Sequence, residues 1–326
     1  MTESPSMTGL STTRTFAVRH YDLDATLDSG QAFRWQKQGE SWVGIIGSRW
    51  VRLHSDSFSI AAEAAQPVGN WSWLVDYLGL DVDLTALLLT FPDDEPMRTA
   101  VNACRGLRLL RQDPWECLAS FILSSTKQIV QIQQIVSLLC ERFGEPVLVP
   151  ATFWPAHAFP SPARLARATE AELRACKMGF RAPYLLGVAR SIASGEFVPA
   201  RLHQLPVEIA RHELMQLRGV GRKIADCVLL FAYGFQSAFP VDVWVAKALR
   251  QLYFPRRRVN LQRLHRFAAT HFGPNAGYAQ QYLFHFMRTK SVSSRSRRRP
   301  RPRPRSLLFE EERIRSRTRT RTIQKI

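Results

Sequence analysis

The chain has 326 residues, 45% of them hydrophobic, enough for a large buried core and a prior of about two domains. Its formal charge of +18 is unevenly placed: residues 288–326 hold 15 Lys/Arg against 3 Glu, a net +12, and the preceding 287 residues hold 30 against 24, a net +6. No apolar run spans a bilayer, no secretory h-region opens the chain, and five scattered cysteines form no C-x-x-C pair, so the expectation is an intracellular protein, cytoplasmic or nuclear, with free thiols, no zinc site and a polyanionic partner.

In chain order, residues 1–14 are Ser/Thr-rich and are expected to lack structure. Residues 31–36, 41–46, 50–54 and 57–61 alternate apolar and polar side chains between glycine breaks, the pattern of a small antiparallel sheet, and Trp71, Trp73, Leu74, Tyr77 and Leu78 predict a helix packed on it. Pro92 to Pro96 is a polar break. Pro114 marks a helix start, and 127–143 repeats an apolar stripe that Gly144 stops. Residues 145–162 read as a Pro-rich loop. Helices are predicted at 161–176, 182–194, 207–217, 261–272 and 278–287. The fold class expected is α+β: an N-terminal antiparallel sheet domain at 15–105, a mainly helical core at 106–287, and a basic, disordered tail at 288–326.

The chemistry is expected in Leu217 to Trp244, LRGVGRKIADCVLLFAYGFQSAFPVDVW. Gly219-Val220-Gly221 is a tight turn at 217–223 that leads into a helix with Lys223 in its first turn. A helix N-terminus leaves amides free and carries partial positive charge, so the turn suits a phosphate and disfavours a second positive charge beside it. A neutral amine is a nucleophile and an ammonium is not. Asp242 sits just before the next helix, where an aspartate is most often an N-cap. Taken singly, either residue has an ordinary structural reading.

Together they resemble the helix-hairpin-helix DNA glycosylases. Four further stretches, in order, resemble the 8-oxoguanine branch of that superfamily: SGQAFRW (29–35), LRLLRQDPWECLASFILSS (107–125), GFRAPYL (179–185) and GYAQQYLF (277–284). The resemblance spans roughly residues 20–287. It implies a base-excision enzyme that flips a damaged base from duplex DNA. Lys223 attacks the sugar C1′ and forms a Schiff base that permits β-elimination, and Asp242 stabilises the oxocarbenium charge. Gly30 offers a carbonyl to the N7–H of 8-oxoguanine, Gln280 reads the Watson–Crick edge, and Phe284 and Cys227 sandwich the base. Arg181 reads the opposite base and Phe180 wedges into the duplex. The amides of Gly219, Val220 and Gly221 hold a phosphate, and hairpin carbonyls near Gly219 and Gly221 offer a place for a monovalent cation. No cofactor is implied. No cysteine follows Cys227, so an iron–sulfur loop downstream of the hairpin is absent from the expectation. The partner implied is double-stranded DNA carrying an oxidised purine, bound by a monomer.

Three positions depart from the family pattern. Thr126 replaces an asparagine that fills the space left by the flipped base, Gln131 replaces an arginine that reads the opposite cytosine, and Trp244 replaces a phosphate-contacting histidine. They weaken the expectation of strict cytosine selection. A same-fold glycosylase for alkylated purines and a non-catalytic hairpin DNA-binding protein are the alternatives. Lys223, Gly30 and Gln280 argue against the former, and the pairing of Lys223 with Asp242 against the latter.

Overall fold

The structure, a computed structural model, describes residues 11–124, 127–151, 153 and 156–296. The expectations placed on residues 1–10, on Thr126 and on the tail from residue 297 onward lie outside the described residues; residues 288–296, expected in the disordered tail, are instead the end of a helix that spans Ala276–Ser296.

A five-stranded antiparallel sheet forms the N-terminal part, in the order β1-β5-β4-β3-β2. Its strands are β1 (Ser11–Ala17), β2 (Gln36–Gln38), β3 (Ser41–Ile46), β4 (Arg49–Ser55) and β5 (Ser59–Val68). Ser11 to Arg14, expected to lack structure, belong to β1: Arg14 pairs with Ala62 and Thr13 with Glu63. The Ser/Thr content that suggested disorder also suits a strand whose side chains face solvent. The opposite correction applies to residues 31–36, where only Gln36 joins a strand. Gln31 is fully buried and uses its side chain as a bracket, donating to the carbonyls of Thr26 and Arg108 and accepting from the Leu110 amide at 2.8 Å. Alternation there records burial in an irregular turn rather than a ladder.

One face of the sheet is covered by α1 (Leu23–Asp28) and α2 (Ser72–Leu78), which bury Leu23, Leu27, Leu74 and Leu78 against Leu53 and Ile60. Two short helices, α3 (Leu84–Leu88) and α4 (Glu95–Ala103), lead into the helical core. That core contains α5 (Pro114–Ser124), α6 (Ile129–Phe143), α7 (Pro162–Ala166), α8 (Glu170–Leu173), α9 (Ala182–Ala193), α10 (Val207–Gln216), α11 (Arg222–Phe231), α12 (Val243–Tyr253), α13 (Leu261–His271) and α14 (Ala276–Ser296). A two-stranded ribbon, β6 (Pro146–Val147) with β7 (Ala156–His157), interrupts the Pro-rich loop. The single helix expected over 161–176 is broken in two because Thr169 caps α8: its hydroxyl takes the Glu172 amide at 3.2 Å, and the Glu172 carboxylate returns to the Thr169 amide at 2.9 Å.

The segment 107–112 couples the two regions. Gln112 donates its side-chain amide to the Gln31 carbonyl at 2.6 Å, and its backbone amide to the carbonyl of Phe231 at the end of α11 at 2.8 Å. The turn around Gly30 and the helix that starts at the hairpin are thus fixed to one shared strand of chain.

Candidate active site and DNA interface

The hairpin is a tight turn in which the Val220 amide donates to the Leu217 carbonyl at 3.0 Å. Gly219 occupies the third position with φ +90°, a conformation that side chains strain. A Cβ there would lie 2.7 Å from Cγ of Tyr184, so the tyrosine ring on α9 closes directly over the turn. Gly221 is extended and precedes the first turn of α11. Of the three amides expected to hold phosphate, that of Val220 is therefore engaged inside the turn. The amides of Gly219 and Gly221 make no hydrogen bond among the described residues, and the α11 terminus continues their line. Behind the turn, Asp226 is buried and bridges the two hairpin helices. Arg211 Nε of α10 lies 2.6 Å from one of its carboxylate oxygens, and Arg222 Nε lies 3.7 Å from the other.

Lys223 is half-buried on α11. Its Nζ donates to Ser124 Oγ at 3.2 Å and stands 5.0 Å from the centre of the Phe121 ring. The Phe121 ring is itself fixed, stacked on Phe231 and met edge-on by Phe33, with centroid separations of 5.6 Å each. Ser124 Oγ donates to the Phe121 carbonyl at 2.7 Å, so its proton is committed and it meets Lys223 as an acceptor. One N–H of the side chain is thereby held against α5, which restricts where Nζ can point. Neither Ser124 nor Phe121 was singled out from the sequence, where they read as the end and the apolar stripe of a core helix.

Asp242 is the N-cap of α12: its Oδ1 accepts the Val245 amide at 2.8 Å. Burial raises its carboxyl above the ordinary range, opposed by the amides of Val245 and Trp244 and by the charge of Lys223. The N-cap reading and the catalytic reading therefore describe one residue. The cap hydrogen bond holds the carboxylate in place, and Lys223 is close enough to act on it electrostatically. Cys227, one turn after Lys223, is buried, and burial pushes its thiol up to about 12. It is a neutral, polarizable surface at neutral pH rather than a nucleophile.

Gly30 follows Ser29 in a left-handed turn with φ +78°. The Ser29 carbonyl accepts from Gln281 Nε2 at 3.2 Å, so Gly30 and Gln280 flank a hydrogen bond joining the N-terminal turn to α14. Gln280 is 3% exposed, and its buried Oε1 has no hydrogen-bond partner among the described residues. A buried amide oxygen left unmatched costs about 1–3 kcal/mol, which a ligand donor relieves. Phe284, one turn along α14, is partly buried against the core.

At the start of α9, Phe180 is 59% exposed, while Arg181 is 3% exposed with its guanidinium 4.3 Å from the centre of the Phe180 ring. Burial lowers the arginine's pKa from its usual value. Phe180 also meets Tyr184 edge-on at 6.4 Å, and Arg218 of the hairpin lies 5.6 Å from the Tyr184 ring. Tyr184, unremarked in the sequence, links the exposed wedge to the phosphate turn. Gln131 is exposed and its side chain accepts the Gln128 amide at 3.0 Å, closing the N-terminus of α6. Trp244 is half-buried beside Asp242, with Lys247 Nζ 5.4 Å from its ring. Among the described residues no group of three or more His, Cys, Asp or Glu forms a metal site, and no helix is long and apolar enough to cross a membrane.

A hairpin with open amides, a lysine in the helix that follows and a capped, half-buried aspartate beyond it define a helix-hairpin-helix base-excision architecture. Residues 119–268 match the family described as HhH-GPD superfamily base excision DNA repair protein, and residues 15–118 match the 8-oxoguanine DNA glycosylase N-terminal domain. The N-glycosylase/DNA lyase OGG1 of Arabidopsis thaliana is 31% identical over 282 residues, covering 80% of this chain and 76% of that protein. The N-glycosylase/DNA lyase of Saccharomyces cerevisiae is 32% identical over 313 residues, covering 80% and 82%. The Clostridium acetobutylicum 8-oxoguanine glycosylase/lyase, solved with double-stranded DNA containing cytosine opposite 8-oxoG, superposes with a TM-score of 0.79 at 29% identity, covering 86% of this chain and 99% of that one. The chain belongs to the 8-oxoguanine DNA glycosylase/DNA lyase family.

Proposed function

We propose that this protein removes 8-oxoguanine from duplex DNA and then cuts the strand at the resulting site, acting where DNA is kept, in bacterial cytoplasm or the eukaryotic nucleus. The observation that carries the reading is the Lys223 amine held between Ser124 and the Phe121 ring, within electrostatic reach of a half-buried, backbone-capped Asp242.

The steps follow from those groups. Gly219 and Gly221 hold a backbone phosphate, and exposed Phe180 enters the stack as the damaged nucleotide leaves it. Arg181, released from the Phe180 ring, faces the orphaned base, and Gln131 is the second residue assigned to it. The flipped base lies between Cys227 and Phe284, where Gln280 Oε1 gains a donor and the Gly30 carbonyl accepts the N7–H that distinguishes 8-oxoguanine from guanine. The Asp242 carboxylate stabilises positive charge on the sugar as the bond to the base breaks. Lys223 Nζ forms the bond to C1′, the base leaves with the electron pair and takes a proton, and ring opening gives an iminium. Loss of a C2′ proton then expels the 3′ phosphate. Trp244 borders the phosphates near Asp242. Residues 15–105 and 106–287 contribute the two sides of the site, joined at 107–112. The hairpin carbonyls near Gly219 and Gly221 fit a monovalent cation, since the Leu217 and Gly221 carbonyls each engage one amide and retain a second lone pair.

Excision from matched duplexes tests the substrate: one carries 8-oxoguanine, another an alkylated purine, a third undamaged guanine. Strand cleavage confined to the 8-oxoguanine duplex is expected, and preferential release of the alkylated base would replace this reading.

A further inference from the structure

The turn at Gly30 is held by side chains that the reaction does not use. Three buried glutamines converge on it: Gln31 within the turn, Gln112 on the 107–112 segment and Gln281 on α14. Buried amides are bonded in folded proteins, and what these bond to is informative. Gln281 Nε2 donates to the Ser29 carbonyl at 3.2 Å, and Gln112 Nε2 donates to the Gln31 carbonyl at 2.6 Å. The Gln31 side-chain amide is shared among the Thr26 carbonyl at 3.0 Å and the Arg108 carbonyl and Ser29 Oγ at 2.9 Å each. Ser29 Oγ in turn donates to the Thr26 carbonyl at 2.9 Å.

Of the successive carbonyls of Ser29, Gly30 and Gln31, the outer two are therefore fixed by glutamine amides from distant parts of the chain. The middle one accepts from no donor among the described residues. Gly30 is half-buried with φ +78°. A glycine is ordinarily the soft point of a backbone, but here the peptide groups on both sides are pinned, which leaves its carbonyl little freedom to turn. A backbone carbonyl left without a donor away from bulk water is costly, and a ligand N–H relieves that cost. Gln280, whose buried Oε1 is also unmatched, is the neighbour of Gln281. One step of α14 thus carries both an amide open to the base and an amide that holds the Gly30 turn.

We propose that Gln281 and Gln112 are positioning residues for lesion discrimination. By holding the carbonyls on either side of Gly30, they fix the direction in which the Gly30 carbonyl accepts the N7–H of 8-oxoguanine. This rests on the reading of Gly30 as that acceptor, and it adds the two residues that make the turn selective. Guanine carries a lone pair at N7 in place of the proton, so a rigid carbonyl aimed at N7 repels it. A carbonyl free to turn away would hold 8-oxoguanine less well and oppose guanine less. The clamp therefore separates the two bases from both sides.

The test compares the full-length wild type with Gln281→Met and Gln112→Met, which keep a side chain of similar length and remove the donor. In the second, the backbone amide still bonds the Phe231 carbonyl, so the link to α11 stays. Single-turnover rates are measured on duplexes carrying 8-oxoguanine, undamaged guanine, or a preformed abasic site, which has no base to read. One misaligned hydrogen bond corresponds to a loss of about 3- to 10-fold, so excision of 8-oxoguanine is expected to fall by that factor in each variant. Cleavage at the abasic site should stay within about twofold of wild type, and release of guanine should be no slower. Variants that lower 8-oxoguanine excision and abasic-site cleavage by the same factor, as a purely structural role would, overturn the proposal. The wild-type arm reads the base assignment separately. Abasic-site cleavage without preference for 8-oxoguanine over guanine refutes Gly30 as the acceptor and the clamp with it, whereas a preference that wild type and both variants share unchanged refutes the clamp alone.

Discussion

Replacing Gly219 with alanine tests how the hairpin is held. The residue sits at φ +90°, and a left-handed conformation costs a side-chain-bearing residue about 1–2 kcal/mol. The new Cβ would also stand 2.7 Å from Tyr184 Cγ, where carbon atoms prefer roughly 3.5–4.0 Å, so the ring must move by about 1 Å. Overpacking of that size adds about 1–3 kcal/mol. The total is about 2–5 kcal/mol, and at about 2–4 °C per kcal/mol for a large domain the melting temperature should fall by roughly 4–20 °C. Because Tyr184 also contacts Phe180, the same displacement loosens the wedge. Affinity for a duplex with a non-cleavable abasic analogue should therefore fall as well. Thermal unfolding and fluorescence anisotropy measure the two effects. A Gly219→Ala protein that melts within about 2 °C of wild type, with unchanged affinity, would refute the description of the turn.

Two further outcomes follow from the reacting groups. Asp242→Asn keeps a good N-cap, since asparagine caps as well as aspartate, and removes a half-buried, partly desolvated charge. The folded-state carboxyl is raised, so its ionised form opposes folding above that raised value, and the penalty disappears as pH falls through it toward the unfolded value. The variant should match or exceed wild-type stability at neutral pH, with the gap closing in acid, while single-turnover excision drops by several orders of magnitude; a large loss of stability at neutral pH would make Asp242 mainly structural. Ser124→Ala should slow excision by about 10–100-fold through misplacement of the amine, and Ser124→Thr should restore most of the rate. Equal rates for the two variants would reduce Ser124 to a helix terminus.

Much of this site is legible in the sequence because glycines, a lysine and an aspartate at fixed spacing impose a turn, a helix start and a cap. The helix starts at Pro114 and Val207 and the stop at Gly144 are visible for similar local reasons. What the sequence hides is long-range pairing. Gln31 reads as one polar residue of an alternating strand, yet its side chain bonds three residues of two separate segments at once. Ser124 lies 99 positions from the lysine it touches. Tyr184 looks like one more residue of an amphipathic helix until Gly219 is seen beneath its ring. Val220 is the converse case: proximity in sequence suggested a phosphate ligand, and a local hydrogen bond occupies its amide. At residues 11–14 a β pairing prevails over composition, and at 161–176 the Thr169 cap prevails over helical periodicity.

The central claim is that Lys223 becomes covalently joined to the sugar of an excised 8-oxoguanine nucleotide. Incubation with a duplex containing that lesion, reduction with borohydride and peptide mapping by mass spectrometry test it directly. A reduced adduct on the peptide containing Lys223, absent from Lys223→Gln, is the predicted result. An adduct on any other residue, or base release by wild type with no adduct at all, would contradict it.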